Sequence, residues 1–256
     1  MRKIRVFEAF AGYGSQAMAA KRLQRDFPGE VEFEFVGTSE IEPAAIKAYA
    51  AVHGDVPNFG DITRINWAQV PGFDLFTYSF PCTDISNAGK QAGLSEGSGT
   101  RSSLLWECER AIREKRPKYL LMENVKALVQ KKFMPDFMRW ASLLEGYGYA
   151  NFWRVLNAKG FGVAQNRERV FMVSVLRTED EPDPAYTFPQ GFALDKCVEN
   201  YMEPAEEIGV DYFIDQERVT DKVLSDILDQ PNVREQMERL YHDEWREHHA
   251  VANRDC

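Results

Sequence analysis

Apolar positions along the first 176 residues switch repeatedly between alternation and helical spacing. Residues 4–7 form a short β-rich run, Ile-Arg-Val-Phe, followed by a glycine-bearing turn and an alanine-rich helical stretch over 15–25. Residues 31–38 alternate apolar and polar side chains and predict a second strand. Pro43 then opens a helix over 44–53, because proline suits the first helical turn. Residues 74–79 predict a third strand and residues 104–115 a third helix. Pro117 precedes an apolar strand over 119–122, a helix over 134–144 ends at Gly146, and residues 149–157 and 169–176 complete the set. Strands separated by helices of about ten residues imply βαβ units, hence an α/β, doubly wound, mostly parallel sheet. In such sheets ligands sit beyond the carboxyl ends of the strands, so the chemistry belongs just after each one.

Composition adds limits. A chain of 256 residues, 44% of them hydrophobic, has material for one large domain or one domain with a small lobe. Its net charge of −9 by itself disfavours a nucleic-acid partner. The distribution changes that picture. Residues 179–256 carry 7 Lys/Arg against 21 Asp/Glu, a balance of −14, whereas residues 1–178 carry 24 against 19, a balance of +5. A mildly basic body, residues 1–178, thus precedes an acidic connector and helical tail, residues 179–256, with the charged, proline-punctuated stretch 179–184 as the boundary. The four cysteines, Cys82, Cys108, Cys197 and Cys256, form no C-x-x-C pair, which speaks against a disulfide scaffold or a structural metal site and for a reducing, cytoplasmic compartment. No apolar run approaches a membrane span, and the first ten residues are too short and too charged for a signal peptide.

Chemistry-bearing residues follow the strands as expected. After the first come Phe10, Ala11, Gly12, Tyr13 and Gly14, whose glycines permit a sharp turn or close approach of backbone to a ligand. Glu40 ends the second strand, where a carboxylate can bind ribose hydroxyls, and Asp61 and Ile62 follow Gly60, where an acid can accept an adenine amino group. Taken singly, both acids would pass as solvated surface residues. No phosphate-cradling lysine is present, which suits a nucleoside better than a dinucleotide. Beyond the third strand stand Phe80, Pro81 and Cys82, a thiol opening a polar, glycine-studded stretch over 87–100 that suits a lid. Cys108, inside a helical pattern, reads instead as a small core residue. Glu123 and Asn124 end the next strand, and a partly desolvated carboxyl there suits a general acid. Arg167 and Arg169, two apart on an extended segment, could hold a phosphate or a base oxygen.

In this order the motifs resemble those of the cytosine-C5 DNA methyltransferases that use S-adenosylmethionine: Phe-Ala-Gly-Tyr-Gly, Glu40, Gly-Asp-Ile, Phe-Pro-Cys, Arg-Ser-Ser-Leu ending at Leu104, Glu-Asn-Val, and Gln-Asn-Arg-Glu-Arg, spanning residues 4–176. The resemblance implies a Rossmann-like class I methyltransferase fold with an antiparallel strand. It implies that Cys82 adds to C6 of a flipped cytosine in double-stranded DNA while Glu123 protonates or hydrogen-bonds N3. Arg167 and Arg169 would hold that nucleotide, and Asn124 would brace the Pro81–Cys82 turn. Around the cofactor, Phe10 would stack on adenine, Glu40 bind the ribose, Ile41 line the adenine pocket, Asp61 take the amino group, and Ala11, Gly12, Tyr13, Gly14, Ile62, Phe80 and Leu104 complete the pocket. S-adenosylhomocysteine would be the product, and no metal would be needed. Bacterial or phage origin, with a restriction partner, would be typical.

The chain also departs from the family pattern. Tyr78 and Ser79 replace the usual two glycines before Phe-Pro-Cys, Thr83 replaces a glutamine, and no Gly-Asn pair follows residue 176. The resemblance therefore implies a catalytic half that stops before an absent or truncated recognition domain, with a second chain or a missing segment to supply recognition and the closing Gly-Asn motif. Two alternatives share these residues: a catalytically silent regulatory remnant, and an RNA cytosine-C5 methyltransferase.

Overall fold

The computed structural model describes residues 1–82 and 101–193. The lid expected over 87–100 and, from residue 194 onward, the expected acidic connector and helical tail lie outside the described residues. Among the described residues, six strands and four helices follow in the order β1 (Arg2–Ala9), α1 (Ser15–Asp26), β2 (Val31–Ser39), α2 (Pro43–His53), β3 (Leu75–Tyr78), α3 (Leu105–Lys115), β4 (Tyr119–Val125), α4 (Met134–Gly146), β5 (Tyr149–Asn157) and β6 (Glu168–Leu176). The sheet order is β2-β1-β3-β4-β6-β5. Parallel pairing joins β1 to β2, β1 to β3 and β3 to β4, and β6 runs antiparallel to both β4 and β5. This is the α/β, mostly parallel arrangement read from the sequence, with its antiparallel strand.

Local chemistry explains the element ends. Pro43 lies in the first turn of α2, as expected, and α4 also carries a proline there. α3 ends at Arg116, whose φ of 43° lies in the left-handed region, and Pro117 prevents continuation. Alternation along β2 breaks where Phe7 of β1 pairs with Gly37 rather than Val36. A Cβ on Gly37 would lie 2.7 Å from the Phe59 ring and 2.8 Å from Phe7. The bulge and the glycine together let those two rings approach across the strand.

The core is aromatic. Phe7, Trp67, Phe73 and Phe76 pack at ring-centroid distances from 5.1 to 6.5 Å. Tyr78 continues the chain to Trp140, whose indole N–H donates to the Tyr78 hydroxyl at 3.2 Å. Ile62, Ile65, Trp67, Val70 and Phe73 come from the α2–β3 connection, in which the sequence pattern predicts no element. They are organised by two three-residue 3₁₀ turns, Ile62–Arg64 and Trp67–Gln69, too short to leave a periodic signal.

The first compact unit spans Met1–Phe192. It therefore takes in residues that the sequence pattern assigns to the connector: Tyr186 packs on Phe152 of β5, and the Phe192 N–H donates to the Gly160 carbonyl at 2.8 Å. Trp67 is 1% exposed, so Trp67→Ala leaves a large cavity beneath β1 and β3. It is expected to destabilise the fold by roughly 3–5 kcal/mol, read as a lowered urea midpoint with unchanged slope.

Candidate active site

Strand order reverses between β1 and β3, since β2 lies on one side of β1 and β3 on the other. The turns leaving these two strands therefore open into one crevice. In the first turn Phe10 and Gly12 both have φ of 55°, and Gly14 has φ of 85° where it precedes α1. The two glycines serve different ends. A Cβ on Gly14 would meet the rings of His53 and Tyr49 at 2.5 and 2.7 Å, so Gly14 is required by helix packing. A Cβ on Gly12 would meet nothing within 4 Å, so Gly12 borders open space. Phe10 holds a left-handed conformation without being glycine, a strain that tends to accompany functional turns.

Glu40 binds this turn to the next. Its Oε2 accepts from the Gly12 N–H at 2.8 Å, and its Oε1 accepts from the N–H groups of Ile41 and Glu42 at 2.8 and 2.9 Å. A carboxylate offers about four acceptor positions, so one remains for a ribose hydroxyl. Asn58 completes the corner: its Oδ1 accepts from the backbone of Glu40 and Gly60, and its amide donates to the Glu40 carbonyl. The sequence reading missed Asn58, although an Asn two residues before a Gly is itself a turn signal. Asp61 accepts from both the N–H and the hydroxyl of Thr63 at 2.9 Å. These hydrogen bonds, the backbone one first, hold the Asp61 carboxyl below its ordinary range and keep it an acceptor.

Other cofactor candidates divide by position. Ile41 is 69% and Tyr13 58% exposed at the rim, and Leu104 is partly buried against the core. Ala11, Ile62 and Phe80 are buried in the interior, so they shape the crevice from below rather than present free side chains to it. Arg110 of α3 went unrecognised from sequence; its guanidinium donates to the Thr63 and Ile65 carbonyls at 3.1 and 2.8 Å and so anchors the Asp61 turn. Open space at Gly12, one spare acceptor on Glu40 and the acceptor Asp61 together fit a nucleoside cofactor.

A second cleft adjoins the first. Ser79, Phe80, Pro81, Cys82, Glu123, Asn124, Val125, Arg167 and Arg169 line it, uniting side chains from the ends of β3, β4 and β6. Asn124 is 3% exposed and its amide donates to the Phe80 carbonyl at 2.9 Å, bracing the backbone that carries Cys82. Arg169 pairs in register with Val125, and its Nε lies 3.1 Å from Glu123 Oε1. Arg167 is exposed at the rim. Outside the cleft, Lys126 forms an ion pair with Glu168 at 2.8 Å. Cys82 is half-buried, whereas Cys108 is fully buried and burial pushes its thiol up. The contrast read from sequence between the two cysteines is thus visible in the fold.

Glu8 was not anticipated. It lies 1% exposed on β1, accepting from the Tyr49 hydroxyl at 3.2 Å and from the Gln16 N–H at the start of α1, while its Oε1 has no partner. A charged residue in an apolar strand run was the available signal.

The fold is shared by solved methyltransferases of low sequence identity. Solved structures sharing it include the Entamoeba histolytica methyltransferase EhMeth, with 18% identity and a TM-score of 0.60 over 80% of this chain and 61% of that one. The S. pombe Dnmt2 methyltransferase shows 19% identity and a TM-score of 0.54 over 73% and 52%. The family described as C-5 cytosine-specific DNA methylase matches residues 4–255, well past the motif region at 4–176. Type II methyltransferase M2.ScrFI of Lactococcus lactis subsp. cremoris is 38% identical over 279 residues, covering 88% of this chain and 74% of that protein. Orphan methyltransferase M.SssI of Spiroplasma monobiae is 36% identical over 68% of this chain and 60% of that protein. This chain belongs to the C-5 cytosine-specific DNA methylase family, and S-adenosylmethionine is the cofactor its crevice fits. Among the described residues, no helix is long and apolar enough to cross a membrane.

Burial raises the Glu8 carboxyl from 4.5 to about 7, with the Tyr49 hydroxyl and Gln16 N–H pulling it partly back. Between those values the folded chain holds a proton that the unfolded chain has released, so stability from this group falls as pH rises through the window. Glu8→Gln removes the effect. Its stability gain over the parent is expected to grow from near zero at pH 4 to about 3 kcal/mol at pH 8 in paired urea titrations. An equal gain at both pH values would show that Glu8 does not take up the proton.

Proposed function

We propose that this chain transfers a methyl group to C5 of cytosine in duplex DNA through a covalent adduct on Cys82. The observation that carries the reading is the single cleft in which Cys82, Glu123, Arg167 and Arg169 converge beside the nucleoside crevice. C5 of cytosine is a poor nucleophile unless a group adds across the C5–C6 bond. The Cys82 thiolate forms the bond to C6. Glu123, at the floor of the cleft, donates its proton or a hydrogen bond to N3, so that electron density moves to C5. The Phe10–Gly12 turn, Glu40 and Asp61 would hold S-adenosylmethionine, which when bound would supply an electrophilic methyl group to C5 as its S–CH3 bond breaks, leaving S-adenosylhomocysteine. C5 then carries methyl and hydrogen together; a base removes that proton, the C6–S bond breaks, and the thiolate leaves 5-methylcytosine.

The chain's residues divide the remaining work. Asn124 holds the Phe80 carbonyl and thereby the thiol's approach. Arg169 orients the Glu123 carboxyl and stands where it can meet a base oxygen. Arg167 at the rim suits the phosphate of the flipped nucleotide. C6 is inaccessible within a stacked duplex, so the base enters the cleft extrahelically.

Trapping tests the reading. Duplex DNA carrying 5-fluorocytosine, with S-adenosylmethionine, should give a denaturant-stable adduct that Cys82→Ser abolishes. Absence of both adduct and cytosine methylation with duplex DNA, single-stranded DNA and RNA would overturn it. Glu123→Gln should slow methyl transfer by about 10²-fold or more with little change in cofactor affinity, measured by single-turnover kinetics and equilibrium binding.

A further inference from the structure

Ser79 stands where the family pattern has a glycine, and the structure gives its side chain a partner. The Ser79 hydroxyl lines the Cys82 cleft and accepts from Nε2 of Gln16 at 2.8 Å. Gln16 is the second residue of α1, directly after the cofactor turn, and lies 63 positions from Ser79 in sequence. Other contacts fix its orientation. Its Oε1 accepts from the Ser15 hydroxyl at 2.7 Å, and its backbone N–H points to the buried Glu8 carboxyl, which also receives the Tyr49 hydroxyl. Both Gln16 and Ser79 are partly buried, so solvent competes weakly for this bond. A glycine at position 79 has no side chain with which to make it.

The nucleophile turn is therefore held at two points. Asn124 grips the Phe80 carbonyl from β4, and Gln16 grips Ser79, the residue before it, from α1. The two clamps differ in what they can sense. Asn124 belongs to the cleft itself, whereas Gln16 shares a short segment with Gly12 and Gly14, over which the nucleoside sits.

We propose that Gln16 is a positioning residue for this reaction: through Ser79 it straps the cofactor turn to the Phe80–Pro81–Cys82 turn, so that occupation of the nucleoside crevice changes the reactivity of Cys82. This rests on the methyltransferase reading above. Because the strap acts on the nucleophile, its loss alters Cys82 reactivity and leaves cofactor affinity nearly intact.

The experiment uses the full chain and variants Gln16→Ala, Ser79→Ala and the double variant. Alkylation of Cys82 by iodoacetamide is timed by peptide mass spectrometry with and without saturating S-adenosylhomocysteine, and affinity for that product is measured by calorimetry. In the parent chain the alkylation rate should change by about fivefold on binding, the scale of one neutral hydrogen bond. In all three variants the change should shrink below about twofold, with affinity within about threefold of the parent and the double variant no worse than either single one. A Gln16→Ala chain whose alkylation responds as the parent's does would overturn the strap, as would single effects that add. A parent that binds S-adenosylhomocysteine without any change at Cys82 overturns the strap but not the methyltransferase reading. A parent that binds none overturns both, since there is then no occupancy to transmit.

Discussion

Parallel pairing of β1 with β3 is the constraint on which the site depends. Ala9 pairs with Tyr78, so the two strands end level and their turns leave side by side. With β2 on the far side of β1, the strand order reverses there and no crossover helix covers the gap. In the proposed reaction one turn seats the nucleoside, and the other carries the thiol. Neither could work at a distance, because methyl transfer needs the donor carbon and the activated C5 nearly in contact.

The polar groups around this gap are ordered by partners from distant parts of the chain. Glu40 accepts from the backbone of both its own turn and the β1 turn, Arg110 anchors the Asp61 turn from α3, and Arg169 reaches Glu123 across antiparallel strands. Fixed donors and acceptors of this kind need little rearrangement when a ligand arrives, which is how an active site lowers a barrier rather than merely binding. Glu8 stands apart because part of its carboxyl is buried without a partner. Its raised carboxyl links the stability of the fold to pH.

The departures from the family pattern also take on physical meaning. Tyr78 fills the core against Trp140, and Ser79 gains a partner on α1. Both replace conformational freedom before the nucleophile with specific contacts, which a glycine pair would give up. The charge balance fits the same division of the chain. The −9 average joins a body of +5 to a −14 segment, so the surface bearing the cleft is not that of a uniformly acidic protein.

The sequence by itself determined the order and type of nearly every strand and helix, because each carries its own period and its own punctuation: Pro43 at a helix start, Pro117 after a helix end, and alternation through β2. It also pointed to the candidate residues for the chemistry: Cys82 just beyond β3, Glu123 near the end of β4, and Arg167 and Arg169 at the start of the antiparallel β6. Only the tertiary structure decided the rest. The buried connection through Trp67, the bulge at Gly37, the Tyr49–Glu8 bond, the Asn58 corner, the Arg110 anchor and the Gln16–Ser79 bond all depend on residues far apart in sequence, or in turns too short for a period. Hydrophobic periodicity records how a segment meets the core. It carries no record of which distant atom will satisfy a buried donor or acceptor, and in this protein those pairings shape the site.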